Sequence, residues 1–345
     1  LGQVGETGCG FGFGYGAEGF IGSDSRRFNW ATLPKGRNPT GFHIPVSRIT
    51  DLLLLPGETI PYDGQEITLP DIKLIYWAGG NPFHHHQDLN RLIQGWRRPD
   101  TVIVNEPWWT PVAQWADIVF PATTQLERED ICASSHDPYA HVMERAIPPQ
   151  NEARSDHAIF KGLAARLDVL EAFTEGRTER EWLANLWERS QSTAAKQGFE
   201  LPPFDEFWRE RKYKLPEEPG RIEWLSRFRS DPVAHRLATP SGKIELFSEV
   251  VNAFDLEDCR GHASWLEPAE RLGGAFSKQF PLALLTPQPK YRLHSQFDQS
   301  AYASQGKRNG HEIVKLHPET ARARGICEGQ IVRLYNNRGA CLASA

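Results

Sequence analysis

Residues 74–88, LIYWAGGNPFHHHQD, constrain the fold of this chain more than any other stretch. An apolar run stops at Gly79-Gly80, turns through Asn81-Pro82, and crosses a polar cluster before a helix-like segment opens near Asp88. A strand that feeds a helix in this way is half of the crossover from which parallel sheets are built. At the carboxyl end of such a strand, glycines let a ligand approach the backbone, and the helix start offers unpaired N–H groups to phosphate. The segment therefore reads either as an ordinary strand-to-helix turn or as a turn that holds a dinucleotide.

The neighbouring segments extend the pattern. Residues 72–78, 101–105 and 117–120 are short, almost continuously apolar runs, separated by helix-like stretches at 88–96 and around 111–115. Strands buried on both faces have this texture, and their alternation with helices predicts an α/β fold with a parallel sheet. Upstream, 46–55 reads as a short helix stopped by Pro56-Gly57. Residues 60–69 then alternate around Asp63-Gly64, a dipeptide favoured in two-residue hairpin turns.

Beyond the sheet, 121–150 is a long polar stretch expected to lack regular structure, as functional or mobile loops do. Helical periodicity resumes over 156–167, with Ile159, Phe160, Leu163 and Leu167 on one face. Residues 171–236 are helix-rich and charged, and Pro202-Pro203 and 209–218 read as surface connections. A third texture starts near Thr239. TPSGKIELFS (239–248) reads as a glycine turn into an alternating strand, and 280–285, 311–316 and 330–335 read as further strands, with a short helix at 318–324. A β-rich closing domain is expected there.

The opening GCGFGFGYGAEG (8–19) contains a literal GxGxxG at Gly14, Gly16 and Gly19. No apolar strand precedes it and no amphipathic helix follows, so the pattern lacks the context of a dinucleotide fingerprint. It reads as a loop packed by its own rings or as one that lines a ligand.

Bulk properties exclude several partners. A formal net charge of -5 with interspersed signs leaves no basic footprint for nucleic acid or an acidic membrane surface. No apolar run approaches the roughly 20 residues of a membrane span. The five cysteines, Cys9, Cys132, Cys259, Cys327 and Cys341, are scattered and odd in number, which argues against a thiolate metal site and a disulfide framework. The chain of 345 residues starts at Leu1 without methionine and reads as a piece of a longer protein, so a missing leader carries no information.

Five runs, in order along the chain, carry a family resemblance: YWAGGNPFHHHQDLNR (76–91), WTPVAQWADIVFPATTQLERED (109–130), EARSD (152–156), TPSGKIE (239–245) and TPQPKYRLHSQ (286–296). Together they resemble the dimethyl sulfoxide reductase family of molybdenum enzymes. HHHQD, the ERED loop and RLHSQ are most similar to its biotin sulfoxide, trimethylamine N-oxide and dimethyl sulfoxide reductase branch. The resemblance implies a bis(molybdopterin guanine dinucleotide) molybdenum cofactor, with no iron–sulfur cluster in this piece. It also implies a loop segment near the cofactor or funnel (1–45), an α/β dinucleotide-binding domain (46–170), a helix-rich peripheral segment (171–275) and the start of a β-barrel cofactor-binding domain (276–345).

In that setting Gly79, Gly80 and Asn81 are expected to form the close-approach turn, with His85 and Gln87 donating to phosphate or ribose oxygens. For the three consecutive histidines a solvated loop and a phosphate contact both stay open; a metal triad is disfavoured because adjacent side chains diverge. Glu106, where the family usually has aspartate, is placed to take ribose hydroxyls. Asp156 stands where the family's aspartate accepts from guanine N1 and N2, or else it caps the helix beside it. Gln288, His294, Ser295 and Gln296 are expected at the second dinucleotide. The family often has histidine where Gln288 stands, and an amide does not titrate near neutrality. Arg292 reads as a cationic fork to pyrophosphate or as a surface ion pair.

No catalytic or metal-ligating residue is expected in this piece, because the branch's serine ligand to molybdenum and its aromatic neighbours lie upstream of the matching region. The implied activity is oxygen-atom transfer from an S-oxide or N-oxide to reduced molybdenum, followed by re-reduction from a donor protein or other reductant. The fragment alone is expected to be inactive, and its compartment, periplasm or cytoplasm, stays open. A non-catalytic nucleotide-binding module and an NAD-type dehydrogenase are the alternatives, the latter weakened by the failed glycine fingerprint.

Overall fold

A left-handed dipeptide closes the first hairpin of the computed structural model, which describes residues 2–3, 6, 28–41, 43–135, 137–217, 225–294 and 297–345. Asp63 and Gly64 take φ of 49° and 72°, the pair of positive angles that a tight hairpin turn demands. They join β1 (Thr59–Tyr62) to β2 (Gln65–Thr68) with Ile60 opposite Ile67, and both side chains are buried with Leu69. The preceding helix α1 (Ile49–Leu54) stops before Pro56-Gly57, as its sequence predicts. The glycine-aromatic segment 8–19 lies outside the described residues.

The strand–helix alternation is present. β3 (Leu74–Ala78), β4 (Thr101–Glu106) and β5 (Ile118–Pro121) form a parallel sheet in the order β3-β4-β5. α2 (Pro82–His85) and α3 (Leu89–Trp96) connect the first two strands, and α4 (Pro111–Gln114) connects the second and third. Burial on both faces holds for the central strand alone. Val102 and Val104 of β4 are 3% and 0% exposed, whereas Leu74 and Ile118 on the flanking strands are exposed. Leu53, Phe83, Leu92, Trp96, Val102, Val104 and Val112 form one core. Gly95 lets α1 approach α3 closely, since a Cβ there would sit 3.0 Å from Leu53 Cβ.

Residues 121–150 correct the expectation of an irregular loop. β6 (Asp130–Ala133) pairs antiparallel with β7 (Tyr139–Met143), and β7 pairs with β8 (Lys212–Lys214). Within the stretch read as a surface connection, residues 212–214 are therefore a sheet edge, and Leu215 after them is buried. The third strand comes from far along the chain, so no local pattern announces it. A 3-10 turn at Gln125–Glu127 is held by Glu127: its carboxylate accepts from Thr124 N at 2.7 Å, Thr124 Oγ1 at 2.8 Å and Gln150 N at 2.7 Å.

The helical part comprises α5 (Asp156–Arg166), α6 (Leu170–Thr174), α7 (Glu179–Lys196), α8 (Phe204–Glu210) and α9 (Ser226–Ser230). Ile159 of the predicted α5 face is buried, but Leu167 follows the last helical turn and is exposed. Trp187 and Phe207 stack at 3.7 Å within a second core that includes Phe28, Ala140 and Leu215.

Two strands expected in the closing region do not form. The turn of TPSGKIELFS exists, with Gly242 at φ 70°, but the residues after it are irregular and Leu246 is 88% exposed. Residues 280–285 are likewise irregular, with Leu285 exposed. Alternation makes a strand only when a partner edge is available. After α10 (Glu249–Asn252) and α11 (Ala301–Ser304), β9 (Lys307–Arg308) pairs with β10 (His311–Glu312), which reduces the expected 311–316 strand to two residues and a bridge from Ile313 to Ser344. α12 (Pro318–Arg322) follows, and β11 (Ile331–Tyr335) pairs antiparallel with β12 (Ala340–Ser344).

Two compact units result, one of Leu1–Gly41, Asn105–Trp108 and Phe120–Ser248, the other of Phe42–Val104, Trp109–Val119 and Glu249–Ala345. Among the described residues, no helix is long and apolar enough to cross a membrane.

The Thr124 N–H, then the Gln150 N–H and the Thr124 hydroxyl, hold the Glu127 carboxyl below its ordinary value. A depressed carboxylate contributes stability that is present above its unfolded value and is lost as pH falls through the folded one. Replacing Glu127→Ala should lower the unfolding free energy by about 2–3 kcal/mol in denaturant titrations near neutral pH. That difference should shrink once the pH drops below 4.5.

Candidate cofactor-binding site

In the second unit the site begins where β3 ends. Gly79 and Gly80 have φ of 85° and 76° and are exposed; a Cβ on Gly79 would meet none of the described residues within 4 Å. Trp77 Nε1 donates to Gly80 O at 3.2 Å, tying the turn to the strand. Asn81 is only 3% exposed and caps α2: its Oδ1 accepts from Phe83 N at 3.2 Å, and its Nδ2 lies 3.3 Å from His84 Nδ1. Pro82 occupies the first helical position. Because α2 has four residues and Asn81 already satisfies an N–H, the helix start contributes less to anion binding than the sequence implies.

The polar cluster after the turn divides by exposure. His85 and Gln87 are exposed, while His86 is half-buried and its Nε2 has no hydrogen-bond partner among the described residues. Burial, and then the neighbouring His85, holds His86 below its ordinary value. His84 is lowered by desolvation, with Asp298 opposing and Arg292, Lys307 and His85 adding to the fall. Neutral imidazoles each offer one donor and one acceptor.

The residues acting on His84 belong to the later strip, which is thereby brought to the histidines. Gln288 Nε2 donates to Arg292 O at 2.6 Å, and Arg292 Nη1 donates to His294 O at 2.8 Å. The Arg292 guanidinium also pairs with Asp298 at 3.2 Å and Glu312 at 2.8 Å, and Lys307 pairs with Asp298 at 2.9 Å. All three guanidinium nitrogens thus have internal partners, and the ion-pair alternative describes Arg292 better than the fork to pyrophosphate. Ser295 and Gln296 lie outside the described residues.

In the first unit, Glu106 ends β4 and its Oε1 accepts from Trp108 N at 3.3 Å. Asn105 beside it is buried and donates from Nδ2 to Asp156 Oδ1 at 2.9 Å. Asp156 is exposed and is the first residue of α5. It is not the cap, which is Ser155, whose Oγ accepts from Ala158 N at 3.0 Å. The EARSD run lies against the end of β5 through Arg154 N to Pro121 O and Thr123 N to Arg154 O, both 3.0 Å. Thr123 Oγ1 is buried without a hydrogen-bond partner among the described residues, and Phe120, Pro121, Glu152, Arg154 and Ile159 line a cleft of about 80 Å³.

Sequence reading passed over Asn105 and Thr123. Asn105 carried one usable signal, an amide closing an apolar strand.

Two family models match the chain, molybdopterin oxidoreductase over residues 1–166 and molydopterin dinucleotide binding domain over residues 282–345. The chain belongs to the molybdopterin oxidoreductase family. A biotin sulfoxide reductase of Cereibacter sphaeroides is 45% identical over 346 residues, and a trimethylamine-N-oxide reductase of Haemophilus influenzae is 45% identical over 364. Each match covers 100% of this chain and respectively 46% and 44% of the relative. A dimethyl sulfoxide/trimethylamine N-oxide reductase of Cereibacter sphaeroides is 39% identical. This molybdopterin oxidoreductase chain therefore spans just under half the length of these relatives. Acetylene hydratase from Pelobacter acetylenicus shares the fold at TM-score 0.58 and 20% identity, over 86% of this chain and 37% of that one.

The charge pattern around His84 predicts a titration. In the full-length protein with labelled histidine, NMR should place its midpoint below 6.5. Asp298→Asn should move the midpoint lower still, because Asp298 alone opposes the fall; an upward move would contradict this arrangement.

Proposed function

We propose that this chain is the cofactor-holding part of a molybdenum reductase acting on S-oxides or N-oxides such as biotin sulfoxide, dimethyl sulfoxide or trimethylamine N-oxide. The observation that carries this reading is identity of 39% to 45% along the entire chain to relatives named for those substrates. The donor set fits the implied group. In one unit, an exposed glycine turn, exposed His85 and Gln87, and a half-buried His86 Nε2 unpartnered among the described residues suit phosphate and ribose oxygens; in the other, an exposed carboxylate oriented by an amide suits a guanine edge.

Gly79 and Gly80 give phosphate oxygens access to the backbone, with Asn81 holding the turn. Glu106 takes ribose hydroxyls, and Asp156 accepts from guanine N1 and N2. Gln288, His294, Ser295 and Gln296 serve the second dinucleotide, and Arg292 holds that strip in shape through its ion pairs. When bound, the bis(molybdopterin guanine dinucleotide) molybdenum group would supply the two electrons that, with two protons and loss of the oxygen as water, convert an S-oxide to a sulfide or an N-oxide to an amine. The chain's own residues bind and orient it, and none is assigned as a ligand to molybdenum. Residues 46–170 form the dinucleotide-binding domain, 171–275 the peripheral segment and 276–345 the start of a β-barrel. Segment 1–45 lies near the cofactor or funnel, and electrons come from a donor protein or reductant.

The full-length protein from a molybdate-fed host should release guanylate and fluorescent pterin on acid treatment. Asn81→Ala and Asp156→Ala should each lower molybdenum content. Release of neither small molecule, or full molybdenum content in both variants, would overturn the reading.

A further inference from the structure

Glu179 bridges the two residues that flank Asp156. Ser155 Oγ donates to Glu179 Oε1, and His157 Nδ1 lies 3.5 Å from the same oxygen. The peptide on both sides of Asp156 is thereby tied to one carboxylate, while Asp156 Oδ1 accepts from the buried Asn105 at 2.9 Å. Glu179 opens α7 and Ser155 caps α5, so its negative charge sits at the N–H-rich start of two helices, where it is favoured.

The carboxylate is carried on a braced turn. Thr178 N and Oγ1 both donate to Glu181 Oε2 at 2.8 Å, and Glu181 N returns a bond to Thr178 Oγ1 at 3.3 Å. Arg180 pairs with Glu129 at 3.2 Å and lies over the rings of Trp208 at 4.2 Å and Phe204 at 5.4 Å. On the other side, the Phe173 ring packs 5.6 Å from His157. The Glu179 side chain is 45% exposed, and ionic contacts of that kind add little to global stability. Its contribution is therefore directional: it fixes the first turn of α5.

We propose that Glu179 is a positioning residue for Asp156, reaching from the helical segment to keep that carboxylate in the orientation that accepts from a guanine base. This rests on the reading of Asp156 as the guanine-binding carboxylate. A group held in its binding geometry beforehand loses less freedom when the ligand arrives, so the clamp shows in cofactor retention more than in folding.

The test uses the full-length protein from a molybdate-fed host and reads guanylate released per polypeptide, together with the melting temperature of the cofactor-free form. Glu179→Ala should lower guanylate about fivefold, the effect of one lost hydrogen bond. Glu179→Gln keeps an acceptor oxygen for Ser155 and should restore guanylate to within about twofold of the parent. Ser155→Gly keeps an acceptable helix cap while deleting the clamped hydroxyl, and should resemble Glu179→Ala even if the latter folds poorly. Combined with Asp156→Ala, Glu179→Ala should cause no further loss, since the two act as one unit.

Full guanylate in Glu179→Ala and Ser155→Gly, additive losses in the double variant, or a loss in Glu179→Gln that merely follows melting temperature would overturn the proposal. Full guanylate in Asp156→Ala would instead remove the reading beneath it, an outcome visible in that single variant.

Discussion

A reversal of the chain through two left-handed glycines is what allows everything after β3 to take its place. Gly79 and Gly80 adopt angles that cost an L residue roughly 1–2 kcal/mol each. With the turn made, Asn81 is buried beneath it, Pro82 starts α2 with its ring-fixed φ, and Phe83 enters the core against Trp96 at 5.3 Å and Trp115 at 5.9 Å. One backbone feature thus serves two ends. Its underside is stitched by side-chain bonds and aromatic packing, so its upper side can stay exposed without becoming floppy.

Charges in the later strip are balanced internally rather than left for a ligand. Arg292 and Lys307 face Asp298 and Glu312, with the Arg292 side chain only 19% exposed. Half-buried pairs of this sort add little net stability but impose geometry, since breaking one leaves an uncompensated charge. Here they shape the backbone that carries Gln288 and His294, a stretch with no regular strand of its own. The same charges act on His84, so the histidine run and the strip influence each other electrostatically.

Legibility followed the range of the signal. Asp63-Gly64 makes the expected hairpin, Pro56-Gly57 ends α1, and α3 begins within a residue of its expected start. The parallel strands appear within a residue or two of their expected positions. Misreadings cluster where pairing is distant or missing: 121–150 acquires β8 as its partner, whereas the alternating 239–248 and the apolar run 280–285 find no strand to pair with among the described residues. Within the candidate site, residue types were legible but partners were not, as Arg292 with its acidic neighbours and Asp156 with Asn105 both illustrate.

By itself the sequence determined the turns and the strand–helix–strand order, because each depends on a few neighbouring residues whose sterics and hydrogen bonds are local. Tertiary structure alone decided which alternating runs became strands, which helix start received the Glu179 carboxylate, and which side chains were left with an unpaired polar atom. Those outcomes depend on groups far apart in the chain that meet only after the apolar faces have packed, and no periodicity within a segment records them.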